Sequence, residues 1–259
     1  MSAAWLAWAW ALPAMVVLAL VAWAISTARR NVGLVDIFWP LFLFLAAATS
    51  AWVAGGPSPR AVLVLAIVAL WAVRLATHLA ARNWNAEEDR RYRDIRARHE
   101  PGFAWKSLYL VFGLQAVLAW LIAAPLAGAV AVPTSINLLD MAGLALALFG
   151  FVFEVLGDAQ LSRFKADPRN KGCVLDTGLW RYTRHPNYFG ECCIWWGIGL
   201  IALAAGAWWT LFSPVIMTVL LLKVSGVTLL EKDIQERRPA YRDYITHTNA
   251  FVPGASRGK

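Results

Sequence analysis

Charged residues are scarce in this chain of 259 residues, and their scarcity excludes an ordinary soluble domain. Only 15% of the residues are charged, against roughly 25% in soluble proteins. Several apolar stretches approach the ~20 residues that a helix needs to cross the hydrocarbon core of a bilayer. They are residues 3–26, 34–54, 61–81, 107–124, 138–157, 188–206 and 211–230. The sequence therefore predicts an all-α, polytopic membrane helix bundle of about seven transmembrane helices.

Cysteine and the common nucleotide-binding motifs are also scarce. The three cysteines, Cys173, Cys192 and Cys193, have neither the spacing of a metal site nor that of a disulfide framework. No Gly-Xaa-Gly-Xaa-Xaa-Gly sequence occurs, so any dinucleotide would bind without a Rossmann unit. The chain also lacks internal repeats and low-complexity linkers. We therefore expect one membrane-embedded domain over residues 1–259, without a metal site.

Lysine and arginine are nearly absent from every second connector between the apolar stretches. Connectors 28–34, 82–106 and 158–187, with the tail after residue 230, hold 21 of the 24 Lys and Arg residues. The other connectors hold only Arg60. Positively charged loops face the cytoplasm, so we expect an integral protein of a bacterial-type inner membrane, its N-terminus outside and its C-terminus cytoplasmic. The net charge of +8 follows from this topology and does not indicate nucleic-acid binding.

Ionisable residues also occur within or beside the apolar stretches, near their expected cytoplasmic ends. They are Asp36, Arg74, His78, Glu154, Asp158, Glu191, Lys223 and Glu231. A charge at bilayer depth costs ~2.5–3.5 kcal/mol or more, so such groups normally face a wet cavity or the bundle interior. Long side chains can instead snorkel to the interface, but aspartate is too short to do so. The pattern favours a polar cavity that opens to the cytoplasm.

Two of the basic connectors are long, and long loops in compact domains are usually functional or disordered. Connector 82–106 has acids and bases three or four residues apart, which is typical of a charged surface helix. A solvated helix and a lid or cofactor clamp are both compatible with this pattern. Connector 158–187 leads into the most distinctive tract of the chain, residues 178–191.

This tract, Gly-Leu-Trp-Arg-Tyr-Thr-Arg-His-Pro-Asn-Tyr-Phe-Gly-Glu, runs directly into an apolar stretch. Pro186 fixes its own φ and biases His185 towards an extended conformation, so Pro186 or Asn187 can open the helix. A helix N-terminus flanked by Arg181 and Arg184 is a suitable site for an anion. The alternative is an interfacial anchor of Trp, Tyr and Arg.

Residues 154–251 resemble the C-terminal half of the steroid 5α-reductase superfamily, specifically its bacterial branch of uncharacterised membrane proteins, DUF1295. The resemblance is carried by Phe164-Lys165, the 178–191 tract, Trp195-Trp196-Gly197 and the tail from Glu231-Lys232 to Tyr244, with earlier matches at 35–39 and 71–75. It implies about seven helices, with NADPH held by residues 138–259 and the substrate side in residues 1–137.

Position by position, the resemblance implies a set of cofactor-binding residues. Asp158 matches the cofactor carboxylate after the fifth helix, and Lys165 matches a basic residue that holds phosphate. With the basic and aromatic residues around them, the expected cofactor-binding residues are Asp158, Arg163, Lys165, Trp180, Arg181, Arg184, His185, Asn187, Tyr188, Glu191, Trp195, Lys223, Glu231, Arg238, Tyr241 and Arg242.

The chain also departs from the steroid enzymes. Glu154 replaces an asparagine, Glu231 replaces a cofactor-binding tyrosine, and the Gln-Glu pair that acts on the ketone is missing from the second helix. These departures put a steroid substrate in doubt.

The related isoprenylcysteine methyltransferases provide a second interpretation. They share the Arg-His-Pro-Xaa-Tyr entry to a helix and a glutamate-led tail that ends in Tyr-Xaa-Xaa-Tyr and Phe-Xaa-Pro, which match 184–188, Glu231, Tyr241, Tyr244 and 251–253. NADPH carries phosphates and needs several cations, whereas S-adenosylmethionine carries none. The basic set Arg163, Lys165, Arg181, Arg184, Arg237, Arg238 and Arg242 favours NADPH. A transporter is disfavoured, because the intramembrane charges lie towards one side and provide no path across.

The sequence thus predicts an NADPH-dependent reductase of a C=C bond conjugated to a carbonyl in a lipophilic substrate. Asp36, the one carboxylate in the first two spans, is the first candidate for the proton donor, because apolar surroundings would keep it protonated by desolvation. His78 is the second candidate, and it is equally compatible with a packed, hydrogen-bonded role. The expected partners are the lipophilic substrate and membrane lipid, with no nucleic acid and no required protein partner.

Overall fold

The computed structural model describes residues 3–56, 58–132, 134–224, 226–232 and 234–256. The side chain of Arg237, which belongs to the predicted basic set, lies outside the described part. Within these ranges the chain forms helices and no strand, which confirms the all-α prediction. The helices are α1 (Ala3–Ala28), α2 (Val35–Val53), α3 (Pro59–Asn83), α4 (Arg90–His99), α5 (Phe103–Ser107), α6 (Leu114–Ile122), α7 (Ala124–Val130), α8 (Leu138–Ala166), α9 (Pro186–Ala204), α10 (Phe212–Val219), α11 (Val227–Glu231), α12 (Ile234–Arg237) and α13 (Tyr241–His247).

Six helical segments in the described part of the chain are long and apolar enough to cross a membrane. They are Ala3–Ala28, Val32–Val53, Pro59–Asn83, Phe103–Ile122, Leu138–Ala166 and Trp208–Glu236. Two of them contain a π-helical turn, Leu108–Gly113 and Leu220–Val224. Helix α9, predicted as a seventh span, forms over 19 residues. It is not among the six, and the polar Asn187 and Glu191 lie in its first two turns.

The chain divides into two compact units. The first, called the N-terminal unit, comprises Met1–Asn137 and Ile201–Ser213, and the second, called the C-terminal unit, comprises Leu138–Leu200 and Pro214–Lys259. The assignment of residues 1–137 to the substrate and 138–259 to the cofactor stays a prediction.

A tryptophan pair anchors one end of the N-terminal unit. The Trp8 and Trp120 rings stack with centroids 4.2 Å apart. Each indole N–H donates to the other residue's carbonyl oxygen at 2.8 Å. Small residues around Trp8, such as Ala4, Ala124 and Ala127, are buried. Small side chains let helices approach closely where lipid removes most of the hydrophobic driving force between them.

At the other end of α1, a tight turn fixes where α2 begins. The Asn31 backbone N–H donates to Ser26 O at 3.0 Å, and Arg30 adopts a left-handed φ of 52°, as residues just after a helix commonly do. The Asn31 side chain then accepts from the Gly33 N–H at 3.0 Å. This turn places Asp36 in the first turn of α2.

Close glycine contacts join α8 and α9 in the C-terminal unit. A Cβ atom at Gly197 would lie 2.5 Å from Gly143 O, and one at Gly190 would lie 2.6 Å from Glu154 N. Gly157 in turn abuts Pro186 and the Asn187 backbone. Since the paired positions run in opposite directions along the two helices, α8 and α9 are antiparallel. The packing brings the opening turn of α9 against the end of α8 that carries Asp158.

Candidate functional site

In the N-terminal unit, Asp36 is bound by donors from the connector between α3 and α5. The Tyr92 hydroxyl donates to Asp36 Oδ1 at 2.6 Å, and Arg91 Nη2 donates to Asp36 Oδ2 at 3.2 Å. Gln115 Nε2 lies 3.4 Å from the Tyr92 hydroxyl oxygen, to which it donates. Carboxylate, phenol and amide therefore form one hydrogen-bonded chain that links α2, α4 and α6.

Asp36 also has a charged neighbour that the sequence analysis did not identify. Arg91 forms an ion pair with Asp36, and the Asp36 side chain is 22% exposed. Burial opposes the charge on Arg91, but the neighbouring Asp36 and Asp89 carboxylates outweigh it and raise the pKa of Arg91. The sequence did not reveal this pairing because Arg91 lies 55 residues away along the chain.

Tyr92 is a buried partner of Asp36 that the sequence analysis did not identify. Its ring is buried, with 7% of its surface exposed. Burial and the adjacent Asp36 carboxylate raise the pKa of Tyr92 well above its ordinary value, so the phenol stays protonated at neutral pH. The one sequence feature that could have pointed to Tyr92 is that it is the only Phe, Tyr or Trp in the charged run 87–99. Helix α4 does form there, as the three-to-four-residue charge spacing predicted.

His78, the second candidate for the proton donor, lies on α3 and is half-buried. Its role as a proton donor stays a prediction. Among the described residues there is no group of three or more His, Cys, Asp and Glu side chains that could hold a metal ion.

In the C-terminal unit, Arg184, His185 and Glu231 come together as a buried charged cluster. Arg184 Nε donates to Glu231 Oε1 at 2.7 Å, and Arg184 Nη2 donates to Oε2 at 2.9 Å. His185 Nε2 lies 2.9 Å from Glu231 Oε1. Arg184 is 7% exposed and His185 is 5% exposed. Such bidentate, charge-assisted pairs are stronger and more directional than neutral hydrogen bonds.

The tail of the chain closes around this cluster. Arg184 Nη1 donates to Thr248 O at 2.5 Å, and the Arg184 backbone N–H donates to Asn249 O at 2.9 Å. The Tyr241 hydroxyl donates to Glu231 Oε1 at 3.3 Å. Burial opposes the charge on Arg184, yet hydrogen bonding to Glu231 raises the pKa of Arg184. Arg184 thus ties the tail to the opening of α9, and its predicted role as an anion ligand stays a prediction.

Two aromatic residues of the predicted set, Trp180 and Tyr188, lie near the start of α9. Trp180 Nε1 donates to Gly157 O at 3.0 Å, and the Tyr244 hydroxyl donates to Trp180 O. Burial raises the pKa of Tyr244, and the neighbouring Tyr241 raises it further. The Tyr188 ring stacks on His185 with centroids 5.7 Å apart and planes 7° apart. Helix α9 begins at Pro186, as predicted.

The remaining predicted residues fall into two groups. Four residues on α8 and α9 are buried or half-buried, namely Asp158, Asn187, Glu191 and Trp195. Those on the surface are exposed, namely Arg163, Lys165, Arg181, Lys223, Arg238 and Arg242. Arg238 also donates to Cys173 O at 3.2 Å.

A groove of about 810 Å³ opens beside the 178–181 turn and helix α13. Its walls include one guanidinium, Arg181, and two carboxylates, Asp176 and Asp243. Asp243 pairs with His247 at 3.3 Å. Of the predicted cofactor-binding residues, this groove contains Arg181. The sequence analysis did not name either carboxylate as a site residue, although Asp243 lies in the tail that carries the resemblance.

The comparisons with known proteins identify a family and give no activity. A fission yeast protein, described as uncharacterized, from Schizosaccharomyces pombe (strain 972) is 27% identical over 273 residues, covering 90% of this chain and 76% of that protein. No solved structure matches the chain. The family described as "Protein of unknown function (DUF1295)" matches residues 22–248. Because this match covers most of the chain, the protein belongs to the DUF1295 family.

Proposed function

We propose that this protein is a membrane enzyme of the steroid 5α-reductase superfamily, which reduces a C=C bond conjugated to a carbonyl in a lipophilic substrate with NADPH. The hydrogen bond from Tyr92 to Asp36 carries the proposal. A protonated phenol held by a carboxylate at the end of a membrane helix is suited to deliver a proton to a carbonyl oxygen. Neither an anchor nor a purely structural loop requires that arrangement.

The proton chemistry follows from the contacts of Tyr92. When bound, NADPH supplies a hydride for the β-carbon of the enone. The electron pair of the C=C bond moves towards the carbonyl oxygen. The one hydroxyl hydrogen of Tyr92, which is donated to Asp36 in the protein without substrate, can turn to that oxygen and then be transferred to it as a proton. Asp36 holds the phenol in position, while Arg91 balances the charge of Asp36. The hydride on the β-carbon and the proton on the oxygen together give an enol, whose O–H proton then moves to the α-carbon to form the saturated ketone.

The residues of the C-terminal unit fit a phosphate-bearing cofactor in their chemistry. Arg163 and Lys165 lie near the end of α8. Arg181 lies in the 178–181 turn, and Arg242 lies on α13. These cations are exposed, and they could pair with the pyrophosphate and 2′-phosphate of NADPH. Asn187, half-buried at the mouth of α9, could add hydrogen bonds to the nicotinamide half.

Substitution at Tyr92 and Asp36 tests the proposed function. In the detergent-purified protein, Tyr92→Phe removes the transferable proton and should lower turnover of a model enone by about 10²–10⁴-fold, as for a lost general acid. Asp36→Asn should also reduce turnover, since it weakens the hold on Tyr92. NADPH binding by both variants should stay unchanged. Tyr109→Phe, at an exposed residue of the same unit, is the control. Full activity of Tyr92→Phe would contradict the proposed proton donor.

A methyltransferase that uses S-adenosylmethionine is the second candidate, and the groove beside α13 favours it. S-adenosylmethionine carries a sulfonium and an ammonium group together with one carboxylate. Asp176, Asp243 and Arg181 on the groove wall complement these charges. In addition, Arg184 already forms an ion pair with Glu231, so fewer cations remain to bind phosphate. Stabilisation of the protein by S-adenosylmethionine and not by NADPH would favour this candidate.

A further inference from the structure

Glu88 links the element that carries Asp36 to the element that carries Tyr92. Its Oε1 atom accepts from the Val32 backbone N–H at 2.8 Å, in the turn before α2. Both of its oxygens accept from Arg96, at 2.8 and 2.9 Å, one turn after Tyr92 on α4. The Glu88 side chain is 9% exposed. One carboxylate therefore joins the start of α2 to α4.

The same turn also contacts Tyr92 directly. A Cβ atom at Gly33 would lie 3.2 Å from Tyr92 Cδ2, so the Tyr92 ring packs onto the backbone there. Asn31 Nδ2 donates to Ala86 O at 3.1 Å, which adds a second tie between turn and connector. The Arg96 guanidinium in turn lies 4.8 Å from the centroid of the Phe103 ring. Any shift of α4 relative to the 31–34 turn would therefore move the Tyr92 hydroxyl relative to Asp36.

We propose that Glu88 is a positioning residue that holds the Tyr92 hydroxyl on Asp36 by fastening α4 to the 31–34 turn. This role deepens the proposed function and rests on it for its effect on turnover. The fastening itself is a property of the protein without substrate, so it can be measured separately. Glu88 does not touch the reacting atoms in this role and acts through Tyr92 alone.

The kinetic test is a double-mutant cycle between Glu88→Gln and Tyr92→Phe. Glu88→Gln keeps the size of the side chain but removes the charge that binds Arg96. It should lower kcat by about 10–100-fold, as for other outer partners that orient a reactive group, with little change in KM. In the Tyr92→Phe background, the same substitution should have no further effect on kcat. Glu87→Gln is the matched control, because the Glu87 side chain is 92% exposed.

A spectroscopic test keeps the positioning role separate from the proposed reaction. With 3-fluorotyrosine in place of tyrosine, the ¹⁹F resonance assigned to Tyr92 by Tyr92→Phe should move in Glu88→Gln towards its position in Asp36→Asn. An unmoved resonance in Glu88→Gln, or additive kcat losses in the cycle, would overturn the proposal. Absence of enone reduction in the wild type would count against the proposed function, and the ¹⁹F shift would then decide the role of Glu88.

Discussion

At the scale of single residues, charge pairing decides what each ionisable group in the chain can do. Asp36 is held by Arg91 and Tyr92, and Glu231 is held by Arg184 and His185. In both clusters, a carboxylate from a predicted membrane-spanning segment meets donors from a distant connector. The partners lie about 50 residues apart in sequence. The sequence analysis named Asp36 without Arg91 or Tyr92, and it named Arg184, His185 and Glu231 without their pairing.

The first prediction at this scale concerns the Arg184–Glu231 ion pair. Glu231→Gln leaves the buried Arg184 guanidinium without its counter-charge, which costs about 3–5 kcal/mol when one partner of a buried pair is lost. Since Glu231 is 16% exposed, the lower end of that range applies. We expect a clear fall in the Tm of the purified protein. Glu236→Gln, at an exposed glutamate on α12, should leave Tm unchanged. Equal Tm values for the two variants would contradict a stabilising role of the pair.

Tyr92 shows why the candidate site could be predicted only in part. Asp36 stood out because a carboxylate within an apolar stretch is costly. Tyr92 and Glu88 did not, because a run of alternating charges is typical of a solvated helix. Their burial results from tertiary contacts with the 31–34 turn, and these contacts leave no periodic pattern in the connector.

At the scale of elements, glycine contacts set the distance between α8 and α9. Gly143, Gly150 and Gly157 are spaced by seven residues and lie along the side of α8 that faces α9. A seven-residue repeat keeps one side of a helix against its partner. This contact between the helices places Asn187 and the 178–181 turn, which includes Trp180, at the end of α8.

Gly190→Ala tests this packing. The added Cβ atom would lie 2.6 Å from Glu154 N, and backbone atoms there cannot move aside as a flexible side chain could. Overpacking of this kind costs about 1–3 kcal/mol, so the Tm should fall. Ser162→Ala, at an exposed position of α8, provides the control and should stay close to the wild type. A Gly190→Ala protein as stable as the wild type would show that the two helices are not in this close contact.

The helices themselves were largely predictable. The apolar stretches at 34–54 and 61–81 coincide closely with α2 and α3, because length and hydropathy suffice to define a membrane helix. The ends were less predictable. Helix α8 extends to Ala166, beyond the apolar stretch that ends at residue 157, since its last turns are polar but still helical. The π-helical turns had no recognisable pattern.

At the scale of the whole molecule, the protein is an all-helical membrane protein of the DUF1295 family that carries two separate clusters of polar side chains. The N-terminal unit contains the Asp36–Tyr92 pair, and the C-terminal unit contains the 178–181 turn and the exposed cations. The predicted orientation, with the basic connectors in the cytoplasm, would give the exposed cations of the C-terminal unit access to a cytoplasmic cofactor. The identity of that cofactor is the central claim of the proposed function.

Thermal unfolding of the purified wild type with added ligands tests this claim most directly. A ligand that binds only the folded state stabilises it by RT ln(1 + [L]/Kd), or about 2.7 kcal/mol at 100 times Kd. The account predicts a rise in Tm with NADPH, a smaller rise with NADH because it lacks the 2′-phosphate, and none with S-adenosylmethionine. A rise with S-adenosylmethionine and none with NADPH would contradict the reductase and favour the methyltransferase.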